Sequence, residues 1–159
     1  MLHGHRDLKV YQLAYQLAMK IFEESKGFPR EERYSLTDQV RRSSRSVAAN
    51  IAEAYRRRRY PAMFVSRIVD ADAEATETQV WIDPSTRAPA LAGGSCSGFR
   101  PTGVLEGATG LPVGLHFAFD CGYLSKKSHD ELCRSYEEVG KMLGSILVTP
   151  ERFTGDTKR

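Results

Sequence analysis

Residues 37–59 read TDQVRRSSRSVAANIAEAYRRRR. At about 100° per residue, the helical repeat, Leu36, Val40, Val47, Ile51, Ala54 and Tyr55 fall on one apolar arc. Arg41, Arg42, Arg45 and Arg56 fall on the opposite side, with Ala49 and Ala52 between them. The stretch therefore predicts one long helix with a core face and a stripe of cations. Ser43, Ser44, Ser46 and Ala48 fill much of the remainder. Such small side chains let a neighbouring helix come close, because interaxial distance follows side-chain size.

The stripe has two readings. In one it is a solvated face, with arginine chosen as a good helix former. In the other it is a contact surface for phosphate or an acidic partner, since guanidinium offers a planar fork of donors matched to both. The run Arg56, Arg57, Arg58, Arg59 fits the second reading. It also sits where the helix should end, and the helix dipole favours cations there without any ligand. Charge is concentrated in this region. From Arg30 to Arg59, nine arginines stand against Glu31, Glu32, Asp38 and Glu53, a local net of +5 in a chain of net +3. A local patch says more about partners than the overall balance does.

Upstream, Leu8, Tyr11, Ala14, Tyr15, Ala18, Ile21 and Phe22 recur at spacings of three and four, widened by Val10, Leu13 and Leu17. This predicts an amphipathic helix opened by Asp7 and ended near Gly27. The phrase FPREERYSLTDQ reads as a connector containing a helical turn. Downstream, Tyr60-Pro61 closes the basic helix. Phe64, Ile68, Ala71, Ala75, Thr78 and Ile82 then form the core face of a third helix. Val65, Val69, Ala73, Thr76 and Val80 form a second, weakly apolar strip on it. A helix apolar on two sides is buried on two sides, so Val65, Val69 and Val80 are candidate assembly contacts; a large single-chain core is the alternative.

Residues 84–116 change character, with four prolines and seven glycines in thirty-three positions and no surviving period. That is loop composition, of a length compact domains rarely carry. Pro84 would break any helix running into it. Apolar residues resume at Phe117, Phe119, Tyr123 and Leu124, with Gly122 as a helix terminator. A last helix follows, capped by Ser125 or Ser128, with Leu132, Tyr136, Val139, Leu143 and Ile146 facing the core and Pro150 stopping it.

At 159 residues the chain is expected to form a single domain, 1–159, with 84–116 as an irregular insertion within it. Cys96, Cys121 and Cys133 are an odd number without a CxxC pair, which fits a reducing cytoplasm better than a disulfide or zinc framework. Signal peptide and membrane span are not expected. Catalytic motifs are absent: no phosphate loop, HExxH or GxSxG occurs. Asp70, Asp72, Glu74 and Glu77 spread around their helix without a histidine at i+3, so no metal or cofactor is expected. His129 is expected to be exposed, and Cys121 and Cys133 to be core thiols. Asn50, at the edge of the apolar arc, should be hydrogen-bonded. Either it fixes register or a subunit contact, as one buried Asn does in coiled coils, or it pairs with an adjacent backbone turn. Glu53 is grouped with it as a candidate for assembly or register.

The phrases DLKVYQLAYQLAMKIFEESKGFP, YSLTDQVRRSSRSVAANIAEAY, ETQVWID and FAFDCGYLSKKSHDELCRSYEEVGKMLGSIL resemble, in order, the bacterial four-helix-bundle family encoded within 23S rRNA intervening sequences. The signature lies around Gln39, Arg41, Arg42, Asn50, Ile51, Ala52 and Glu53, with Ala54 where relatives usually carry glycine. The resemblance implies an all-α, up-down four-helix bundle and a ring-like homo-oligomer, commonly a pentamer. A related branch, the accessory variability protein of diversity-generating retroelements, partners a reverse transcriptase and binds nucleic acid through a basic surface. Family members run from ETQVWID straight into FAFDCGYL, so 84–116 interrupts the third helix, as an in-frame insertion or as an elaborated loop.

These observations converge on a non-enzymatic, cytoplasmic, homo-oligomeric bundle. Its expected role is to bind RNA, DNA or a nucleoprotein partner through Arg41, Arg42, Arg45, Arg56, Arg57, Arg58 and Arg59. The rival is a scaffold for a protein partner, with the arginines paired to acids on a neighbouring subunit and no nucleic-acid role.

Overall fold

The computed structural model describes residues 4–82 and 117–154. The expected insertion at 84–116, and Cys96 within it, lie outside the described residues. The described chain is helical, with no strand. Helix α1 spans Lys9–Glu24, α2 Asp38–Arg56, α3 Pro61–Ile82, α4 Phe117–Asp120 and α5 Lys126–Val148.

The four long helices form an up-down bundle in the cyclic order α1, α2, α3, α5, and α5 closes back on α1. Cross-helix contacts give the directions. Glu53 meets Arg67, Ser46 meets Glu74 and Arg42 meets Glu77, so α2 and α3 run antiparallel. Lys20 pairs with Glu131 and Ser128 donates to Glu24, so α1 and α5 do as well. The ring of Phe64, near the start of α3, stacks 6.3 Å from Phe153, just after α5.

One core fills the centre, and α2, α3 and α5 contribute the arcs their periodicity predicts. Val40, Val47, Ile51 and Ala54 of α2 are buried, as are Phe64, Ile68, Ala71, Ala75, Thr78 and Ile82 of α3. Leu132, Tyr136, Val139, Leu143 and Ile146 do the same for α5. The small residues of α2 serve the close approach expected of them. Ser43, Ser44 and Thr78 are fully buried. Thr78 Oγ1 donates to the Glu74 carbonyl at 2.8 Å and lies 2.9 Å from Ser43 Oγ. With its own hydrogen committed to the carbonyl, Thr78 must accept from Ser43.

Several local expectations change. Tyr15 is 53% exposed, since the core arc of α1 runs through Val10, Ala14, Leu17, Ala18 and Ile21. Asp7 does not cap α1. Its carboxylate turns back to accept from the Gly4 amide at 3.2 Å, and the cap position is Leu8. Gly27 lies in a 3-10 turn, Ser25–Gly27, rather than at a left-handed terminus. The connector holds a 3-10 turn, Arg30–Glu32, and a π-helical turn, Arg33–Thr37, which delivers buried Leu36 to the core.

The turn between α4 and α5 follows the sequence closely. Gly122 has φ +74°, and Tyr123 N–H donates to the Ala118 carbonyl at 2.8 Å while Gly122 N–H donates to Phe119 at 2.9 Å. This is the paired-bond helix terminus that a left-handed glycine permits. Ser125 then caps α5, accepting from Ser128 N–H at 3.1 Å. His129 is buried, against expectation. Phe119 covers its ring at 4.5 Å, Asp130 Oδ1 lies 3.0 Å from Nδ1, and Cys133 Sγ lies 3.4 Å from Nε2.

Candidate nucleic-acid interface

The seven candidate arginines share one helix and its C-terminal turn, but tertiary packing divides them. Arg41 turns toward α1. Its Nε donates to Ser25 Oγ at 2.7 Å and its guanidinium sits 4.8 Å from the Phe22 ring centre. Arg45 also leans on Phe22, at 5.8 Å, and is otherwise exposed. Arg42 turns the other way and pairs with Glu77 of α3 at 3.0 Å. Arg57 pairs with Glu53 at 3.6 Å. Arg58 folds over Tyr55, 4.1 Å from the ring centre, and donates to the Tyr55 carbonyl at 2.9 Å. Arg56 and Arg59 are exposed and make no ion pair among the described residues.

The bundle brings other cations to Arg56 and Arg59. Antiparallel packing places the start of α1, the end of α2, the start of α3 and the end of α5 at one end of the molecule. Arg6 and Lys9 therefore join Arg56 and Arg59, with Arg152 in the 3-10 turn Pro150–Arg152 that follows α5. None of these five forms an ion pair among the described residues. The helix dipole accounts for Arg56, at a C-terminus. It disfavours Lys9 at the first position of α1, where an acid would be stabilising. Intrahelical energetics therefore leave Lys9 unexplained. Sequence reasoning missed Arg6, Lys9 and Arg152 because they are distant in sequence from the arginine run.

The carboxylates also group by tertiary contact. Asp70, Glu74 and Glu77 line a polar cleft of about 360 Å³ between α2 and α3, with Ser46, Asn50 and Arg67. Arg67 bridges Glu53 and Asp70, at 3.1 Å to each. Asn50 Nδ2 donates to Ser46 Oγ at 3.4 Å, and Ser46 donates to Glu74 at 3.0 Å. Asn50 thus joins a side-chain relay between α2 and α3, and Glu53 ties the same two helices. Val65 and Val80 are half-buried, and Val69 faces solvent. Among the described residues, no group of three His, Cys, Asp or Glu side chains could hold a metal ion. No described helix is long and apolar enough to cross a membrane.

Comparison with known proteins agrees with this architecture. A comparison with curated proteins returned no match. A crystal structure of a protein of unknown function from the S23 ribosomal protein family of Bacteroides thetaiotaomicron superposes with a TM-score of 0.61. The alignment covers 88% of this chain and 96% of that one at 20% identity, a likeness of fold. The sequence model of the 23S rRNA-intervening sequence protein matches residues 6–92. That match takes in α1, the basic α2 and α3, more than half of the 159 residues, and the chain therefore belongs to the 23S rRNA-intervening sequence protein family.

Proposed function

We propose that this protein is a non-enzymatic homo-oligomer that binds the phosphate backbone of nucleic acid through the basic end of its bundle. Arg56 and Arg59 would carry the contact, supported by Arg6, Lys9 and Arg152. The observation behind this reading is that these five cations gather at one end without ion pairs among the described residues, while Arg42 and Arg57 are paired within the chain. Membership of a family named for rRNA intervening sequences agrees with it.

Contacts of this kind position a protein on nucleic acid without reading sequence. They release counterions, so affinity falls steeply with salt. Repetition of the basic end around an oligomer would raise a weak contact by avidity.

Fluorescence anisotropy with a structured RNA and a DNA duplex, from about 50 to 200 mM salt, tests the reading. Binding should weaken with salt and show little sequence preference. Arg56→Ala with Arg59→Ala should reduce both affinity and salt slope, whereas Arg42→Ala should change neither appreciably. A protein that ignores both probes at low salt overturns the proposal.

A further inference from the structure

Helices α1 and α2 part on the outside of the bundle to leave a groove of about 490 Å³. Ala49 and Ala52 line its α2 side, and Tyr11 and Tyr15 its α1 side. Tyr15 is 53% exposed, because the core arc of α1 runs past it. The two tyrosine rings lie 6.3 Å apart at an interplanar angle of 25°, so they share an orientation. His5, next to Arg6 of the basic end, meets the Tyr11 ring edge-on at 4.8 Å. An aromatic wall therefore leads from the basic end into the groove.

Two arginines of α2 bracket the alanines. At about 100° per residue, Arg45, Ala49, Ala52 and Arg56 fall within a sector of about 60° on one face. At about 1.5 Å per residue, Arg45 and Arg56 stand about 16 Å apart along it. Both are exposed, and neither forms an ion pair among the described residues. Arg45 holds its guanidinium 5.8 Å from the Phe22 ring, at the end of the groove away from Arg56. No carboxylate lines the groove among the described residues. A cation at each end with aromatic rings between suits a ligand that carries repeated negative charge and flat apolar groups along one line. The span matches roughly five stacked nucleotides at about 3.4 Å each.

We propose that this groove holds single-stranded nucleic acid, with bases stacked on Tyr15 and Tyr11 and phosphates paired to Arg45 and Arg56. The inference rests on the phosphate-binding reading above and names the kind of strand the protein prefers. A duplex keeps its bases stacked on one another and offers only its backbone to the basic end. Unpaired bases offer free π-faces, and aromatic side chains in a cationic groove stack with them whatever the sequence. The alanines leave depth for a base beside the tyrosines. Arg56 belongs to the groove and to the basic end, so a strand leaving one continues onto the other. A ligand with a single charged head would engage one arginine and leave the second unexplained. An amphipathic helix carries its charges away from the apolar face it would lay in the groove, whereas a nucleotide strand carries both along one line.

Fluorescence anisotropy with three labelled probes of equal length tests the groove: an oligothymidine strand, an abasic strand and a DNA duplex. The abasic strand keeps the phosphates and lacks the bases, so the unaltered protein should bind it about fivefold or more weakly than oligothymidine. Tyr15→Ala should weaken oligothymidine binding by a similar factor and leave the abasic strand and the duplex unchanged. Tyr15→Phe keeps the ring face and should bind as the unaltered protein does. Arg45→Gln should lower the logarithmic salt slope for oligothymidine by about 0.7 and leave that for the duplex alone. Tyr15 and Arg45 are exposed, so each variant should keep its helical circular dichroism. Equal binding of oligothymidine and the abasic strand overturns the groove, in the unaltered protein and without recourse to any variant. So does a Tyr15→Ala protein that binds all three probes as before or loses all three alike, or a Tyr15→Phe protein that loses as much as Tyr15→Ala. In each of these cases duplex binding by the unaltered protein leaves the basic-end reading standing. A protein that binds none of the probes at low salt overturns both.

Discussion

Among the described residues, Tyr136 is the largest fully buried side chain, and its hydroxyl has no partner in hydrogen-bonding geometry. Burial pushes its phenol pKa above the ordinary value. A buried hydroxyl left unsatisfied costs about 1–3 kcal/mol in desolvation. Tyr136→Phe should therefore be neutral, or stabilising by up to about 1 kcal/mol, in urea denaturation at neutral pH. The pH response follows from the raised pKa. The folded state holds this proton more tightly than the unfolded chain, so stability is full below about pH 10 and falls above it. Tyr136→Phe should flatten that alkaline fall. Asp130 behaves in the opposite sense. The His129 ring, then Lys126, holds its exposed carboxyl below the usual range, so the associated stabilisation is present above about pH 4 and fades below it. His129→Gln should raise the Asp130 pKa in a carboxyl-carbon NMR titration.

At the scale of elements, the joint between α4 and α5 depends on two residues. Gly122 holds φ +74°, and a Cβ there would meet nothing within 4 Å. The cost of Gly122→Ala is therefore conformational rather than steric, about 1–2 kcal/mol. Ser125→Ala removes the α5 cap and should cost about 1 kcal/mol. The positions are close, so the double variant can depart from additivity. Thermal unfolding followed by circular dichroism measures all three. Both features were legible in the sequence, because caps and left-handed termini are local chemistry. The burial of His129 was not, since it depends on Phe119, ten residues away, folding over the ring.

At the scale of the molecule, the bundle decides which charges stay available. An exposed pair such as Arg42–Glu77 contributes about 0–1 kcal/mol, so Arg42→Ala should shift the melting temperature little. Loss of Arg56 and Arg59 should instead reduce the logarithmic salt slope of duplex DNA binding by about two, close to one per phosphate contact. Deep truncation in the shared core has the larger thermodynamic effect. Ile51 is fully buried, and Ile51→Ala should cost about 2–5 kcal/mol in denaturant unfolding.

The sequence by itself determined the four long helices, the core arcs of α2, α3 and α5, and the turn from Gly122 to Ser125. Each depends on periodicity or on contacts within a few residues. Leu36, Val40, Val47 and Ile51 share an arc whatever the partner, and Gly122 ends a helix through its own backbone. Tertiary structure alone decided which arginines of α2 are committed. Arg42 finds Glu77 thirty-five positions away, and Arg41 finds Ser25 on the preceding turn. It also decided that Tyr15 faces water, and that Arg6, Lys9 and Arg152 stand with Arg56 and Arg59. Helical spacing places a side chain on a face, but the antiparallel stacking of four helices decides what that face meets.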